Sequence, residues 1–187
     1  MNTLAEENYL KSIYHLSQNT ESVSTNQLAA FINTKASSVT DMLKKLADKN
    51  LINYTPYQGV TLTAAGEKVA VNIIRKHRLW EYFLVEKLNF KWDEVHELAE
   101  EMEHISSNEL IDRLDKFMGY PKYDPHGDPI PDCNGLFKTH NLKPVSAIGI
   151  NEGGIISGVR EHSTAFLQYL EKTITNYRQA DHSFRDR

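Results

Sequence analysis

Apolar residues recur at helical spacing in the first fifty residues, in three short stretches separated by polar turns. The first stretch follows Thr3-Leu4-Ala5-Glu6, which has the form of a capping box, and ends near residue 18. A second capping box, Ser24-Thr25-Asn26-Gln27, predicts a short helix through Phe31. A third helix is predicted at about 36–49, with a small-polar and then basic outer face. The second and third helices therefore predict a helix-turn-helix.

Two β-rich runs, at 51–55 and 60–63, flank the turn Pro56-Tyr57-Gln58-Gly59 and predict a hairpin. A hairpin directly after the recognition helix of a helix-turn-helix is a wing, which is typical of DNA-binding domains. The alternative is that any small α+β domain can show three helices and a hairpin. The segment 24–60 carries four lysines against two aspartates, a modest basic excess.

A long helix is predicted at about 64–88, and it places His77 and Glu81 four residues apart on one face. A surface ion pair is the simpler interpretation of those two residues taken alone. The next helix follows after only four residues, Asn89-Phe90-Lys91-Trp92, so the two helices are predicted to form an antiparallel hairpin. Such a hairpin would bring His77 and Glu81 towards His96.

The second helix of this hairpin concentrates acidic residues and histidines. Wound as one helix, it places four potential ligands on a single face: His96, Glu100, Glu103 and His104. Residues 93–103 include six acidic residues and no lysine or arginine. Carboxylates this close repel one another unless a cation lies among them, and carboxylate with imidazole suits a divalent metal. The sequence therefore predicts a metal site here.

Beyond this hairpin the pattern becomes less regular. A capping box, Ser106-Ser107-Asn108-Glu109, predicts a helix to about 118. Five of the six prolines then fall in 121–144, which predicts an ordered loop or linker at a domain boundary. Within it His126 and His140 are predicted to be exposed and solvated, and Cys133 inert. The last segment, 145–187, is too short for an independent core; a strand is predicted at 153–159 and a helix at 163–172.

Composition limits the class of protein. A chain of 187 residues with 40% hydrophobic residues and a net charge of −4 is an ordinary globular protein. A single cysteine excludes an intrachain disulfide framework. The absence of an 18-residue apolar run and of a signal-peptide pattern predicts a cytoplasmic protein with no membrane partner.

The sequence lacks the catalytic motifs of the enzyme classes that its histidines and acidic residues suggest. A zinc protease would need His-Glu-x-x-His, and here His96-Glu97 is followed by Glu100 in place of the second histidine. A di-iron carboxylate bundle would need two Glu-x-x-His units, and only Glu101–His104 qualifies. Because no nucleophile-and-base motif or phosphate-binding glycine loop appears, a non-enzyme is predicted. A metal-independent winged-helix regulator with a merely solvated acidic helix remains open.

Several motifs, in this order and spacing, resemble the DtxR/MntR family of metal-dependent transcriptional repressors. They are Tyr9-Leu10-Lys11-Ser12-Ile13-Tyr14, Ala36-Ser37-Ser38-Val39-Thr40, Leu62-Thr63-Ala64-Ala65-Gly66, Arg75-Lys76-His77-Arg78-Leu79, Glu94-Val95-His96, Glu103-His104 and Gly127-Asp128-Pro129-Ile130-Pro131. The resemblance implies a mainly α protein with a small β component. It implies a winged helix-turn-helix domain at 1–63, a helical metal-binding and dimerisation domain at 64–120, a linker at 121–144 and a partial SH3-like (FeoA-like) domain at 145–187.

The resemblance also implies two metal sites. The regulatory site would comprise Glu100, Glu103 and His104 with a ligand from the first helix. The matching first-helix position is Asn8, where relatives carry Asp or Met, so Glu7 or water is an alternative ligand. The second site would comprise His77, Glu81 and His96, completed near Glu161 or His162.

The expected metal follows from the donor types. Manganese-responsive members of the family carry glutamate at the position of Glu100, whereas iron-responsive members carry cysteine. A mostly oxygen donor set favours Mn(II), with Fe(II) as the alternative and Zn(II) or Co(II) able to bind in vitro. The implied function is therefore a metal-dependent repressor that senses Mn(II) and controls metal-ion uptake genes.

The implied partners are a second copy of the chain and a palindromic double-stranded operator read in its major groove. A homodimer is predicted through helices between about 64 and 118. The motivating apolar stripe comprises Val69, Ile73, Trp80, Phe83 and Leu84. The predicted DNA-binding residues are Ser24, Lys35, Ser37, Ser38, Thr40, Asp41, Lys44 and Tyr57.

Overall fold

The structure is a computed structural model that describes residues 2–138, 142–150, 152, 156–170 and 172–173. The chain divides into two compact units, each described here by itself. The first comprises Met1–Lys76, Glu103–Ser106 and Pro131–Leu136. The second comprises His77–Met102, Ser107–Ile130 and Phe137–Arg187.

The first unit contains the predicted winged helix-turn-helix, and that prediction is confirmed. Its three helices are α1 (Leu4–Ser17), α2 (Thr25–Phe31) and α3 (Ala36–Asp48). The strands β1 (Ile52–Thr55) and β2 (Gly59–Leu62) pair antiparallel, with Ile52 opposite Leu62. Thr3 and Ser24 are the N-caps of α1 and α2, and both capping boxes are complete, so two of the helix starts are encoded locally.

The core of this domain is apolar and closed. Its fully buried side chains are Leu10, Ile13, Val23, Leu28, Val39, Leu43 and Leu46. The hairpin joins the core because Val60 pairs with Val23 across an isolated bridge. Gly66 allows the start of the next helix to lie close to the backbone of Leu51, since a Cβ at residue 66 would lie 1.9 Å from the Leu51 carbonyl oxygen. Burying several such side chains at about 1.5–3 kcal/mol each holds the helices in one arrangement.

Three further helices follow, at α4 (Ala64–Leu88), α5 (Val95–Met102) and α6 (Asn108–Phe117). Asn89 ends α4 with a left-handed φ of 58°, which asparagine tolerates better than most residues. The N-cap of α6 is Ser107, whose side chain accepts from Leu110 N, and not Ser106 as the proposed capping box implied. Within the described part of the chain, none of the helices combines the length and apolar character needed to cross a membrane.

The apolar stripe on α4 is largely buried within the single chain. Ile73, Trp80 and Leu84 are 1%, 6% and 4% exposed. The chain's own core explains the apolar character of these three residues, so they do not support a dimer interface; Val69 and Phe83 are partly exposed, and the dimer stays a prediction. Exposed apolar side chains in this part of the chain lie at the end of α4 and just after it, at Leu88 and Phe90, and on α6 and just after it, at Leu110, Phe117 and Tyr120.

The proline-rich segment is packed rather than extended. Tyr123 and Pro129 form an antiparallel bridge, and Ile130 is 4% exposed. Val159 N donates to the His126 carbonyl at 2.8 Å, which ties the loop to the C-terminal segment. The bounds predicted for the linker and the last domain stay predictions.

The C-terminal segment contains a 3-10 turn at Val145–Ala147 and helical residues at 164–170. The strand predicted at 153–159 is wrong for 156–159, which are irregular; 153–155 lie outside the described residues. The SH3-like character of this segment stays a prediction.

Candidate metal centres and DNA-binding surface

The first polar cluster, in the first unit, begins on α1. Leu10 and Ile13 bury one face of this helix in the winged-helix core, and that fixes the direction of the other side chains. Glu7 and Lys11 lie four residues apart and so share a second face. This face presents one carboxylate and one ammonium group to residues far away in the sequence.

Those residues are Glu103 and His104, in the turn after α5. Glu103 is fully buried, and both of its oxygens accept from Lys11 Nζ, at 2.6 and 2.9 Å. His104 Nδ1 lies 2.7 Å from Glu7 Oε2, and its Nε2 lies 3.7 Å from Glu103 Oε1. One imidazole therefore stands between two carboxylates that come from segments nearly one hundred residues apart.

A second ammonium group borders this cluster. Lys76 is 4% exposed and donates to the Ile105 carbonyl oxygen at 2.8 Å. Burial lowers the pKa of Lys76, and the nearby carboxylates of Glu7 and Glu103 oppose this shift. The cluster thus compensates buried negative charge with lysine side chains.

Three expectations about this region need revision or comment. α5 ends at Met102, so the prediction that Glu103 and His104 continue one helical face from His96 is wrong. Asn8 is exposed, whereas its neighbour Glu7 supplies the carboxylate next to His104. The Glu100 side chain is half exposed, and its Oε1 lies 3.6 Å from His96 Nε2.

The second cluster, in the second unit, surrounds Glu81. This carboxylate is 3% exposed; Oε1 lies 3.1 Å from His77 Nε2 and 3.5 Å from His96 Nδ1. The structure therefore brings together the three residues that the sequence placed near one another. His77 is one turn before Glu81 on α4, and the helix hairpin delivers His96, with the rings of the two histidines 4.9 Å apart.

Two further residues join Glu81 from the proline-rich loop. His126 Nδ1 lies 3.7 Å from Glu81 Oε2, and His126 Nε2 lies 3.0 Å from the Trp92 carbonyl oxygen. His126 is 3% exposed, so the prediction that it is a solvated histidine is wrong. Asp124 Oδ1 accepts from the backbone N–H groups of His126 and Asp128, both at 2.9 Å. The sequence Asp124-Pro125-His126-Gly127-Asp128 is an acid-histidine-acid pattern, which was the available signal.

The electrostatics of this cluster are strongly coupled. Burial would raise the pKa of Glu81, but hydrogen bonds with His126, His77 and His96 outweigh it and hold that pKa well below its usual range. Burial would lower the pKa of His126, yet the Glu81 carboxylate outweighs it and raises that pKa. Burial and the charges of Glu81 and Asp128 raise the pKa of Asp124 to about 7.

The described residues contain two three-residue groups whose ligand atoms all lie within 4.8 Å: His77, Glu81 and His96, and Glu81, Asp124 and His126. Both groups share Glu81. Carboxylate oxygens and imidazole nitrogens fit a divalent cation such as manganese or iron, and a dication would compensate this buried negative charge. Around Glu81 both the donor types and their spacing suit a metal, whereas in the first cluster the donor types suit one but its residues are not among the groups with this spacing.

His162, one of the two predicted outer ligands, lies beside the second cluster. The His162 ring stacks on that of His126, with centroids 5.0 Å apart, and is exposed. Glu161 is exposed, and its Oε1 accepts from Ser163 Oγ at 2.7 Å. Cys133 is exposed. His140 lies outside the described residues.

The predicted DNA-binding residues occupy the outer side of the winged domain. Ser24, Lys35, Ser37, Ser38, Asp41 and Lys44 are exposed, and Thr40 is half-buried. Ser24 is also the N-cap of α2, and Thr40 Oγ1 donates to the Ala36 carbonyl oxygen at 2.9 Å. Tyr57, at the tip of the hairpin, is fully exposed with a left-handed φ of 67°.

Comparison with known proteins identifies two matching family models. Residues 1–60 match "Iron dependent repressor, N-terminal DNA binding domain", and residues 63–132 match "Iron dependent repressor, metal binding and dimerisation domain". An HTH-type transcriptional regulator of Methanocaldococcus jannaschii is 41% identical over 113 residues, 60% of this chain and 90% of that protein. The iron-dependent repressor IdeR of Mycobacterium tuberculosis is 31% identical over 133 residues, 70% of this chain and 58% of that protein.

A solved structure of a manganese-dependent transcriptional repressor in complex with manganese superimposes on this chain with a TM-score of 0.77. The two are 36% identical, and the superposition covers 90% of this chain and 78% of the other.

Proposed function

Since the chain belongs to the iron-dependent repressor family of metal-dependent transcriptional repressors, we propose that it senses Mn(II) and controls metal-ion uptake genes. The observation that carries the proposal is the first polar cluster. It connects α1 of the DNA-binding domain, through Glu7 and Lys11, to Glu103 and His104. A metal bound there would have a ligand from a helix of the DNA-binding domain.

The proposed regulatory ligands are Glu103 and His104 with Glu7 from α1. Glu7 takes the place that the resemblance implied for Asn8, because its carboxylate already lies 2.7 Å from His104. Glu100 is the further ligand implied by the family resemblance. The bound cation would coordinate these carboxylates directly, and its ligands would have to be deprotonated.

The donor set argues for manganese. The proposed ligands are carboxylates and an imidazole, and the chain's one cysteine, Cys133, is exposed in the proline-rich loop. Oxygen donors suit Mn(II), whereas a thiolate would shift preference towards softer ions. Fe(II) is the alternative metal, which the relationship to IdeR supports. Zn(II) and Co(II) are expected to bind in vitro because affinity alone ranks them above manganese.

A second ion is proposed at Glu81. Either His77 and His96 or Asp124 and His126 would complete its ligand set, and both pairs meet the same buried carboxylate. The His126 ring is oriented for this role because its Nε2–H donates to the Trp92 carbonyl when Nδ1 carries the lone pair. An outer ligand from Glu161 or His162 remains part of the proposal.

The mechanism follows from the position of α1. Side-chain ion pairs connect α1 to residues 103–104. A metal held by Glu7, Glu103 and His104 would fix the position of α1, and with it that of the helix-turn-helix, relative to residues 103–104. The metal would act by binding this conformation of the protein more tightly than its other conformations.

The proposed partners are a second copy of the chain and an operator with two-fold symmetry. Two recognition helices must enter successive major grooves about 34–36 Å apart. Lys44 and the small polar residues Ser37, Ser38 and Thr40 would face the groove, with Lys35 and Tyr57 near phosphates. The exposed side chains of Leu110, Phe117 and Tyr120 are the proposed apolar part of the dimer surface.

The deciding experiment is DNA binding by the full chain to the region upstream of its own gene. Fluorescence anisotropy is measured without metal, with Mn(II), and with Fe(II) under anaerobic conditions. Binding that requires metal and is half-maximal at the lowest concentration for Mn(II) supports the proposal. Metal-independent binding would identify a winged-helix regulator without a sensing role, and selective activation by Fe(II) would identify the iron-responsive alternative.

A further inference from the structure

The Lys11 ammonium group forms an ion pair with the Glu103 carboxylate. Its nitrogen lies 2.6 Å from Oε1 and 2.9 Å from Oε2, so it contacts both oxygens that a metal would need. Glu103 is fully buried, and the Lys11 side chain is 14% exposed. This is a close ion pair between residues 92 positions apart in the sequence.

An ionised carboxylate without compensation is costly in such a position. Removing one partner from a buried pair is strongly unfavourable, because the remaining charge loses both water and its counter-ion. The Lys11 ammonium supplies the compensation for Glu103, with the more distant charge of Lys76 contributing. The protein therefore contains its own cation at the carboxylate proposed to bind the metal.

We propose that Lys11 competes with the metal for Glu103 and thereby sets the concentration at which the repressor responds. This inference rests on the proposed regulatory site. A metal ion that coordinates Glu103 must displace the ammonium from at least one oxygen, and two cations at one carboxylate also repel each other. Each metal-binding event thus includes the loss of the Lys11–Glu103 pair, and the apparent affinity is lower than the ligands alone would give.

The chain contains a matched pair for comparison. Lys49 Nζ donates to Glu6 Oε2 at 2.7 Å, and Glu6 is 6% exposed. Glu6 is also on α1, next to Glu7, but Glu6 is not a proposed ligand. Lys49→Met therefore removes an ammonium–carboxylate pair of the same type from the same helix without touching a carboxylate that the metal is proposed to use.

The test measures metal binding directly, without DNA. Wild type, Lys11→Met and Lys49→Met are titrated with Mn(II), and the electron paramagnetic resonance signal of free Mn(II) gives the Kd. The two lysine variants and their reference all carry Glu81→Gln, which removes the shared carboxylate of the second cluster, and the unmutated chain is titrated alongside them. Lys11→Met should bind Mn(II) at least about tenfold more tightly, equivalent to about 1.4 kcal/mol. Lys49→Met should stay within about twofold of wild type.

A second measurement uses the unmutated chain. Lysine acetylation is mapped by mass spectrometry with and without saturating Mn(II). Displacement by the metal predicts that Lys11 is modified faster in the loaded protein, with Lys49 unchanged. Equal or slower modification of Lys11 would overturn the inference, and this result does not depend on the stability of a variant.

The outcomes separate the two proposals. If the Glu81→Gln form binds no Mn(II), whether or not the unmutated chain does, the proposed regulatory site is wrong. If this form binds Mn(II) and Lys11→Met binds it equally or less tightly, the site stands. Lys11 then positions Glu103 or contributes only to folding, and the competition proposed here is refuted.

Discussion

Replacing Glu103 with glutamine tests the link between the metal and the DNA-binding domain. The change keeps the side-chain shape and one acceptor oxygen but removes the charge that Lys11 compensates. We expect Mn(II)-dependent DNA binding to be lost while the fold survives, because one anionic ligand is missing.

The expected size follows from the burial of Glu103. Breaking a buried ion pair costs about 3–5 kcal/mol, but Lys11 is 14% exposed and can reach water, and glutamine still accepts a hydrogen bond. We therefore expect a loss of about 2–3 kcal/mol in the metal-free protein, or a Tm lower by about 4–12 °C for a chain of this size. Loss of a partner outside the ligand shell already weakens metal binding about 10–100-fold. Loss of the ligand itself should raise the half-activating Mn(II) concentration by at least about 100-fold.

The assays are thermal unfolding of the metal-free protein and anisotropy of labelled operator DNA titrated with Mn(II). Glu101→Gln is the matched control, since Glu101 is exposed, lies two residues away and undergoes the same change of charge. Activation of Glu103→Gln at the wild-type Mn(II) concentration would refute the proposed role of Glu103 as a ligand. An unchanged Tm would refute the energetic argument about its ion pair.

Four other predictions can be checked independently. Lys44→Ala should weaken operator binding and reduce the dependence of log K on log salt concentration by about one counter-ion, measured by anisotropy at several salt concentrations. Glu100→Cys should raise the half-activating concentration of Mn(II) more than that of Zn(II), Co(II) or Fe(II). The difference should grow towards pH 8, because the thiol must be deprotonated to give the soft thiolate ligand. Phe117→Asp should convert the proposed dimer to a monomer in sedimentation, since Phe117 is 67% exposed and a charge there would be buried in the proposed interface. The hydrogen bond from Lys49 lowers the pKa of Glu6 from its ordinary 4.5, so this pair stabilises the fold above about pH 4.5 and the stabilisation is lost as the pH falls through the lowered pKa. Lys49→Met should therefore lower Tm more at pH 7 than at pH 3.

Each of these has a contrary result. An unchanged salt slope and affinity for Lys44→Ala would place the DNA surface elsewhere. An equal shift for every metal in Glu100→Cys would remove the basis for preferring manganese. A wild-type chain that sediments as a monomer at micromolar concentration, with and without metal, would contradict the dimer. A Tm loss in Lys49→Met that is equal at both pH values would show that the pair contributes through packing and not through charge.

Local chemistry in the sequence determined most of the helical framework. The capping boxes at Thr3 and Ser24 satisfy the first N–H groups of α1 and α2 from within four residues, so their positions needed no tertiary contact. The long apolar periodicity of α4 and the short link after it likewise predicted the helix hairpin that joins His77, Glu81 and His96. These features depend on interactions between residues that are close in the sequence, so the sequence alone is enough to predict them.

Tertiary structure alone decided which other candidate ligands meet, beyond His77, Glu81 and His96. Periodicity suggested one helix through His104, but α5 ends at Met102, and Glu103 becomes fully buried in the following turn. His126 reaches Glu81 from 45 positions away because the proline-rich loop packs, while its sequence surroundings looked exposed. Lys11 likewise meets Glu103 across 92 positions. Burial and charge compensation depend on such distant contacts, and no local pattern of residues specifies them.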